Sequence, residues 1–415
     1  MAIIKPFKSF RPTEELVEKV AAVPYDVLNS KEAKVIAGEN KYSFLHVDKA
    51  EIDLPEDIDV HSADVYEKAA SNLNGMIAEG TYLQEENASL YLYELTMNGR
   101  SQTGLVVCTS IDDYMNDVIK KHEFTRADKE QDRINHVDYT NANTGPIFLT
   151  YRAEKRASEI IANYKTDNKT VYDWVAEDGI GHKVWVINEQ NTVDELVSIF
   201  GEIPCLYIAD GHHRAASAVK VGRKRRAQNP GFTGEEEYNY FLAVLFPDDE
   251  MYIMDYNRVV ADLNGNTSEE FIAKISEKFD VEKMNASEAN HYPKAKKEYT
   301  MFLDDEWYTI RIKKEFIPSD VVDSLDVALL QDNLLQPILD IDDPRTNSRI
   351  DFVGGIRGLE ELEKRCHNDM KVAFAVYPTS MDELFDVADG SRVMPPKSTW
   401  FEPKLRSGIF VHKLV

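Results

Sequence analysis

Residues Cys205–Arg226 read CLYIADGHHRAASAVKVGRKRR. A short apolar run, Cys205–Ile208, enters a turn at Ala209–His212 and then a stretch whose alanines at 215, 216 and 218 suit close helix packing. Strand, glycine turn and helix N-terminus in succession make an anion site, because the first backbone N–H groups are unpaired and the helix dipole is positive there. Arg214 in the first turn opposes that dipole by roughly 0.3–1 kcal/mol unless an anion lies nearby. Asp210 supplies one such anion, which would make the turn a cap and a salt bridge with no ligand. The adjacent His212 and His213 favour a functional site instead. The cations of GRKRR (222–226) suit a helix C-terminus and read as a solvated helix end rather than a nucleic-acid patch.

Outward from this stretch, further apolar runs read as strands: LYLYEL (90–95), GLVVCT (104–109), GPIFLTY (145–151), KVWVI (183–187), YFLAVL (240–245) and VAFAVY (372–377). Several are continuously apolar, as expected where both faces of a sheet are covered. Helices are expected at Thr13–Ala22, Ala63–Ala78, Ser268–Phe279, Leu359–Cys366 and Ser380–Ala388, and over TVDELVSIFG with Thr192 as its N-cap and Gly201 as its stop. LDDEWYTIRI reads as a hairpin turning at Asp304–Glu306. The irregular alternation argues for an α+β fold with mixed sheets and flanking helices. The polar stretch 260–270 suggests two domains, 1–260 and 261–415, for a chain of 415 residues.

The chain carries 48 basic against 73 acidic side chains, a net charge of −25. That surface repels phosphate backbones and anionic lipids, so neither nucleic acid nor membrane is expected as a partner. Three dispersed cysteines, Cys108, Cys205 and Cys366, indicate neither disulfides nor a thiolate zinc site. No apolar run is long enough to cross a bilayer and the first residues lack a signal-peptide core, so a cytoplasmic location is expected.

Two more clusters carry chemistry. In IKKHEFTRADKEQDR (119–133), an HExxH metal motif fails because position 126 is Arg. His122 and Glu123 beside Lys121 and Arg126 suit general-base work next to anionic groups, although an exposed, charged helix start has the same composition. In MPPKSTWFEPKLRSG (394–408), Lys397, Ser398, Thr399 and Lys404 sit in a proline-fixed loop suited to phosphate or to a purely structural closing segment. Tyr25 and Asp26 in VPYDVLN, and Arg345 and Arg349 in DDPRTNSRIDFVGG, are weaker candidates.

Taken in order, VPYDV, KHEFT, TGPIF, YIADGHHR, RIDFVGG and MPPKSTWFEPKL resemble the domain-of-unknown-function family DUF1015 over nearly the whole chain. That family resembles the ParB and sulfiredoxin superfamily through the turn at Gly211–Arg214, which is G-E-R-R in ParB-type proteins and G-C-H-R in sulfiredoxin. His212 stands where sulfiredoxin has its cysteine, so the resemblance does not extend to sulfinic-acid repair. It implies a ParB/sulfiredoxin-like core with large insertions in 1–260 and a C-terminal α+β domain contributing the Lys397–Lys404 loop. Free L-serine kinases of that superfamily share a D-G-H-H-R turn and use ATP, ADP or pyrophosphate. The resemblance therefore implies a small-molecule kinase forming O-phosphoserine from L-serine. Asp210 and His212 would act at the reacting phosphate, Asp210 would hold Mg²⁺, and His213 and Arg214 would bind phosphate. Glu123 would be the base. Two other activities fit the same residues: a metal-dependent phosphohydrolase and a non-catalytic nucleotide-sensing module.

Overall fold

The computed structural model describes residues 1–285 and 291–415. Its chain forms two units, Met1–Met251 together with Pro403–Val415, and Tyr252–Glu402. The polar stretch 260–270 thus falls inside the second unit, between a strand ending at Val260 and a helix starting at Ser268. Lys404 belongs to the first unit, and Lys397, Ser398 and Thr399 to the second.

The first unit is built on a nine-stranded mixed sheet. In chain order its strands are β1 (Ile4–Lys5), β2 (Leu90–Met97), β3 (Arg100–Ser110), β4 (Ile119–Lys120), β5 (Ile147–Tyr151), β6 (Tyr172–Val175), β7 (Gly181–Ile187), β8 (Leu206–Asp210) and β9 (Tyr240–Pro247). The spatial order is β4-β8-β5-β9-β3-β2-β7-β6, with β1 on β3. β8 runs parallel to β4 and antiparallel to β5, and the β8–β5 register shifts between Ile208 and Asp210. Five longer helices accompany the sheet in this unit: α1 (Ala63–Ala78), α2 (Ala127–Thr140), α3 (Lys155–Asp167), α4 (Gln190–Glu202) and α5 (His212–Gln228).

Alternation along the strands explains their continuous apolarity. Leu90 and Leu92 of β2, Leu105 and Val107 of β3, Leu206 and Ile208 of β8, and Phe241, Ala243 and Leu245 of β9 share one core. Ile161 of α3, Leu196 and Ile199 of α4, and Ala215, Ala218 and Val219 of α5 pack into the same core. The intervening Tyr91 and Tyr93 meet Phe410, and Tyr91 meets Phe7, so a second layer covers the other face of β2.

The second unit has a six-stranded sheet of β10 (Tyr256–Val260), β11 (Phe279–Lys283), β12 (Glu298–Leu303), β13 (Glu306–Ile312), β14 (Ile350–Gly354) and β15 (Val372–Val376), ordered β11-β13-β12-β15-β10-β14. The β12–β13 hairpin turns at Asp304 and Asp305, both with positive φ, as a two-residue primed turn requires. Three of its helices are Ser268–Lys278, Gly358–Asn368 and Met381–Asp389, the first and last closed by capping boxes from Thr267 and Ser380.

Three expectations need correction. The helix expected at Thr13–Ala22 is a single turn, Val17–Val20, because Ala22 instead pairs its backbone with Ser407. The helix expected to be capped by Thr192 starts at Gln190 and runs to Glu202, carrying Gly201 inside its last turn. The GRKRR end of α5 is only partly solvated: Arg223 and Lys224 are exposed, but Lys224 and Arg225 pair with Asp138, and Arg226 forks onto Asp112 at 2.6 and 2.8 Å. Among the described residues no helix is long and apolar enough to cross a membrane.

Candidate functional site

Gly211 joins β8 to α5 with φ of 95°, a left-handed conformation that glycine adopts without strain. The absent side chain also makes room: a Cβ there would lie 3.1 Å from Cζ of Arg214. Arg214 therefore folds back beneath the turn. Its Nη2 donates to Asp210 Oδ2 at 3.3 Å, its Nη1 donates to the Pro146 carbonyl, and its buried Nε has no partner. Gly145 is small for the same purpose, since a Cβ there would lie 3.0 Å from Ser407 Oγ and 3.7 Å from Arg214 Nη1.

Asp210 answers two cations, because Lys404 Nζ lies 3.8 Å from the same Oδ2. Burial alone would raise its carboxyl. Lys404 and Arg214 outweigh that effect and hold it at about 2, so it is ionised at neutral pH.

His212 is buried at the first position of α5, and burial drives its imidazole well below the usual range, with the neighbouring His122 adding to the effect. His122 packs edge-on against it at 4.6 Å and is itself lowered to about 4, chiefly by burial. Both rings are neutral at pH 7. Nδ1 of His212 lies 3.7 Å from the Glu123 carboxylate, and its buried Nε2 has no partner. His213 accepts a hydrogen bond at its Nε2 from the Arg126 backbone N–H, 3.0 Å away. That bond ties the 122–126 loop to the start of α5. Ser217, one turn on, donates to the His213 carbonyl at 2.7 Å and to the Glu130 carbonyl at 3.1 Å, holding α5 against α2.

Tyr25 lies under the guanidinium of Arg133, 4.0 Å from its ring centre, and burial with the Asp26 charge raises its phenol. The exposed Asp26 acts electrostatically on both His213 and Arg214. The structure thus gathers Tyr25, Asp26, His122, Glu123, Arg126, Asp210, His212, His213, Arg214 and Lys404 within the first unit. The Arg126 side chain turns outward onto Asp128 at 2.8 Å, so only its backbone serves the turn. Lys121 turns to the Tyr114 carbonyl at 3.1 Å.

The remaining candidates belong to the second unit. Arg349 pairs with Asp262 and donates to the Leu339 carbonyl at 2.9 Å, and Arg345 pairs with Asp343 at 2.8 Å. Ser398 donates its hydroxyl to the Pro395 carbonyl at 2.6 Å, and Lys397 holds a left-handed φ of 61°. Ser407, a polar residue of the same proline-fixed loop, bridges backbone to backbone with Ala22 and reaches Gly145. Sequence reasoning missed the buried Asp48, which accepts from Thr144 Oγ1 at 2.9 Å and acts electrostatically on Arg214. The TGPIF block held the signal, because a Gly–Pro pair between Thr144 and an apolar strand marks a turn.

Among the described residues no group of three or more His, Cys, Asp or Glu side chains has the arrangement of a metal site. No curated protein matches the chain. It is similar to a free serine kinase solved in complex with AMP, at 12% identity and a TM-score of 0.37, over 74% of this chain and 91% of that one. It is also similar to SbnI with C-terminal truncation from Staphylococcus aureus, at 12% and 0.37, over 72% and 82%. A conserved hypothetical protein from Pyrococcus furiosus matches at 13% and 0.36, over 74% and 94%. The family model described as protein of unknown function (DUF1015) matches residues 4–328, and the chain belongs to that family.

Proposed function

We propose that the first unit binds the phosphates of a small donor at the Gly211 turn and transfers one to a small hydroxyl compound, free L-serine being the leading acceptor. The observation that carries this reading is the pair of buried, unpartnered nitrogens at the start of a 17-residue helix, Arg214 Nε and His212 Nε2. A buried polar group without a partner costs about 1–3 kcal/mol, and an oxyanion at a helix N-terminus would satisfy the guanidinium. The D-G-H-H-R turn, which resembles that of free L-serine kinases, supports the same reading.

In this reading Arg214, Lys404 and the first backbone N–H groups of α5 hold the phosphates of ATP, ADP or pyrophosphate. Positioning and positive charge are what phosphoryl transfer chiefly requires. Glu123, whose side chain is 44% exposed, accepts the proton of the acceptor hydroxyl. The acceptor oxygen forms its bond to phosphorus as the bond to the donor's bridging oxygen breaks, and the donor leaves one phosphate shorter. Asp210 is the residue that would hold Mg²⁺, in company with donor phosphate oxygens, as this ion commonly takes one or two carboxylates plus phosphate and water. That ion would supply further charge neutralisation.

The test is to incubate the purified chain and Mg²⁺ with each donor and a panel of hydroxyl amino acids, then look for phosphorylated acceptor by mass spectrometry. O-phosphoserine is the expected product. Free phosphate alone would indicate hydrolysis, and tight binding without turnover would indicate a sensor; either outcome overturns the proposal.

A further inference from the structure

The short turn Tyr25–Val27 is fixed at both ends and set against the start of α5. Pro24 enters it with φ of −56°, and Asn29 leaves it through the capping box that opens the helix Ser30–Ala37. Just upstream, the Ala22 carbonyl accepts from the Ser407 N–H at 2.8 Å. Ser407 and Arg214 crowd one glycine, since a Cβ on Gly145 would meet Ser407 Oγ at 3.0 Å and Arg214 Nη1 at 3.7 Å. On the other side, the Tyr25 ring lies 4.0 Å under the guanidinium of Arg133 in α2, the helix whose N-cap and first turn His213 and Ser217 tie to α5. The turn thus carries the exposed Asp26 to the edge of the Gly211 site, where its charge acts on His213 and Arg214.

Nearby acids have cations of their own. Asp210 has Arg214 and Lys404, Asp128 has Arg126, and Asp132 has Arg133. Among the described residues no hydrogen bond or ion pair engages the Asp26 carboxylate. His213 does not neutralise it. Burial lowers that imidazole, which is neutral at pH 7, and the Arg126 N–H donated to Nε2 leaves its proton on Nδ1. An unpaired carboxylate at the edge of a phosphate site repels the donor unless a cation comes between them. The acceptor is the reactant that can bring one. An α-ammonium is a compact charge with three donors and no acceptor, which suits a carboxylate whose lone pairs are free.

We propose that Asp26 reads the α-ammonium of the acceptor, so that the hydroxyl compound taken at the Gly211 turn is a free amino acid rather than a hydroxy acid. This inference rests on the phosphotransferase reading of the first unit.

The test is calorimetry on the full chain with Mg²⁺ and methylenediphosphonate, a pyrophosphate analogue that cannot be cleaved at its bridge. It compares L-serine and L-threonine with 3-hydroxypropionate and 3-hydroxybutyrate, which lack the ammonium. The parent should bind at least one amino acid about 10–100-fold more tightly than its counterpart, the range of a hydrogen bond to a charged group. Asp26→Asn should abolish that preference, leave the hydroxy acids within about threefold, and bind methylenediphosphonate no more weakly than the parent. A parent that binds both sets equally, or neither, overturns the proposal, as does an unchanged preference in Asp26→Asn. Methylenediphosphonate binding that weakens in Asp26→Asn only when Mg²⁺ is present makes Asp26 a metal ligand and overturns it too. The transfer assay fails separately. A parent that phosphorylates amino and hydroxy acids alike refutes the role of Asp26 alone, whereas one that prefers amino acids in binding yet transfers nothing refutes phosphoryl transfer alone.

Discussion

Asp210 Oδ2 is shared between Arg214 Nη2 at 3.3 Å and Lys404 Nζ at 3.8 Å, so a single oxygen balances two cations from segments 190 residues apart in sequence. Asp210→Asn leaves both cations without their acid. The variant should lose about 1–3 kcal/mol in urea unfolding, the usual cost of orphaning a buried charged partner. In the absence of Mg²⁺, pyrophosphate should bind at least as tightly as in the parent, because a competing anion has been removed. Weaker pyrophosphate binding in a folded variant would show that Asp210 serves the ligand rather than its cations.

Glu123 stands next to the neutral His212 with its carboxylate half-exposed. Glu123→Gln keeps the shape and removes the base, so transfer should fall by about 10²–10⁴-fold while donor binding stays within about threefold. Single-turnover kinetics beside calorimetric binding separates the two effects. Transfer retained at the parent rate removes Glu123 from the mechanism.

Stability should fall with acid well before the carboxylates titrate. His122 is held at about 4 and His182 at about 3, each chiefly by burial, against an ordinary value of 6.5. Below 6.5 the unfolded chain takes up protons that the folded chain refuses, so the contribution of each ring is complete above that pH. It declines until the folded value is reached, by up to about 1.4 kcal/mol per pH unit per ring. Asp210, held near 2, adds a loss only below about pH 4. Urea midpoints at pH 7.5, 6.5, 5.5 and 4.5 should decline over the last three, and His122→Asn should flatten the slope by about one proton. A parent midpoint constant from pH 7.5 to 4.5 refutes the assignment.

Gly222 lies inside α5, where alanine would ordinarily be favoured by about 1 kcal/mol. A Cβ at this position would collide with the Tyr238 carbonyl and approach Ile111 Cδ1 at 2.7 Å. Gly222→Ala should therefore destabilise, by about 1–3 kcal/mol, despite the better propensity. A rise in melting temperature would mean that the Tyr238 segment gives way easily.

The turn at Gly211 was legible because its three signals are local: an apolar run, a glycine and an alanine face. The hairpin at Asp304–Asp305 was legible for the same reason. Helix ends were less so. Thr192 has the chemistry of a cap, yet tertiary packing carries α4 back to Gln190. What the pattern could not show were partnerships across distance. Arg226 finds Asp112 and Lys224 finds Asp138 from more than 80 residues away, which turned an expected solvated end into a tie between helices. The acid that Asp48 contributes near Arg214 follows from three-dimensional surroundings that no spacing encodes.

The division of the chain carries a consequence for its synthesis. The first unit is begun at Met1 but needs Pro403–Val415, which supply Lys404 to Asp210, Ser407 to Ala22 and His412 to Asn143. All of Tyr252–Glu402 leaves the ribosome before that segment does. The unit that starts first therefore closes last, and for the time needed to translate some 150 residues its Gly211 turn waits on the ribosome with Arg214 but without Lys404.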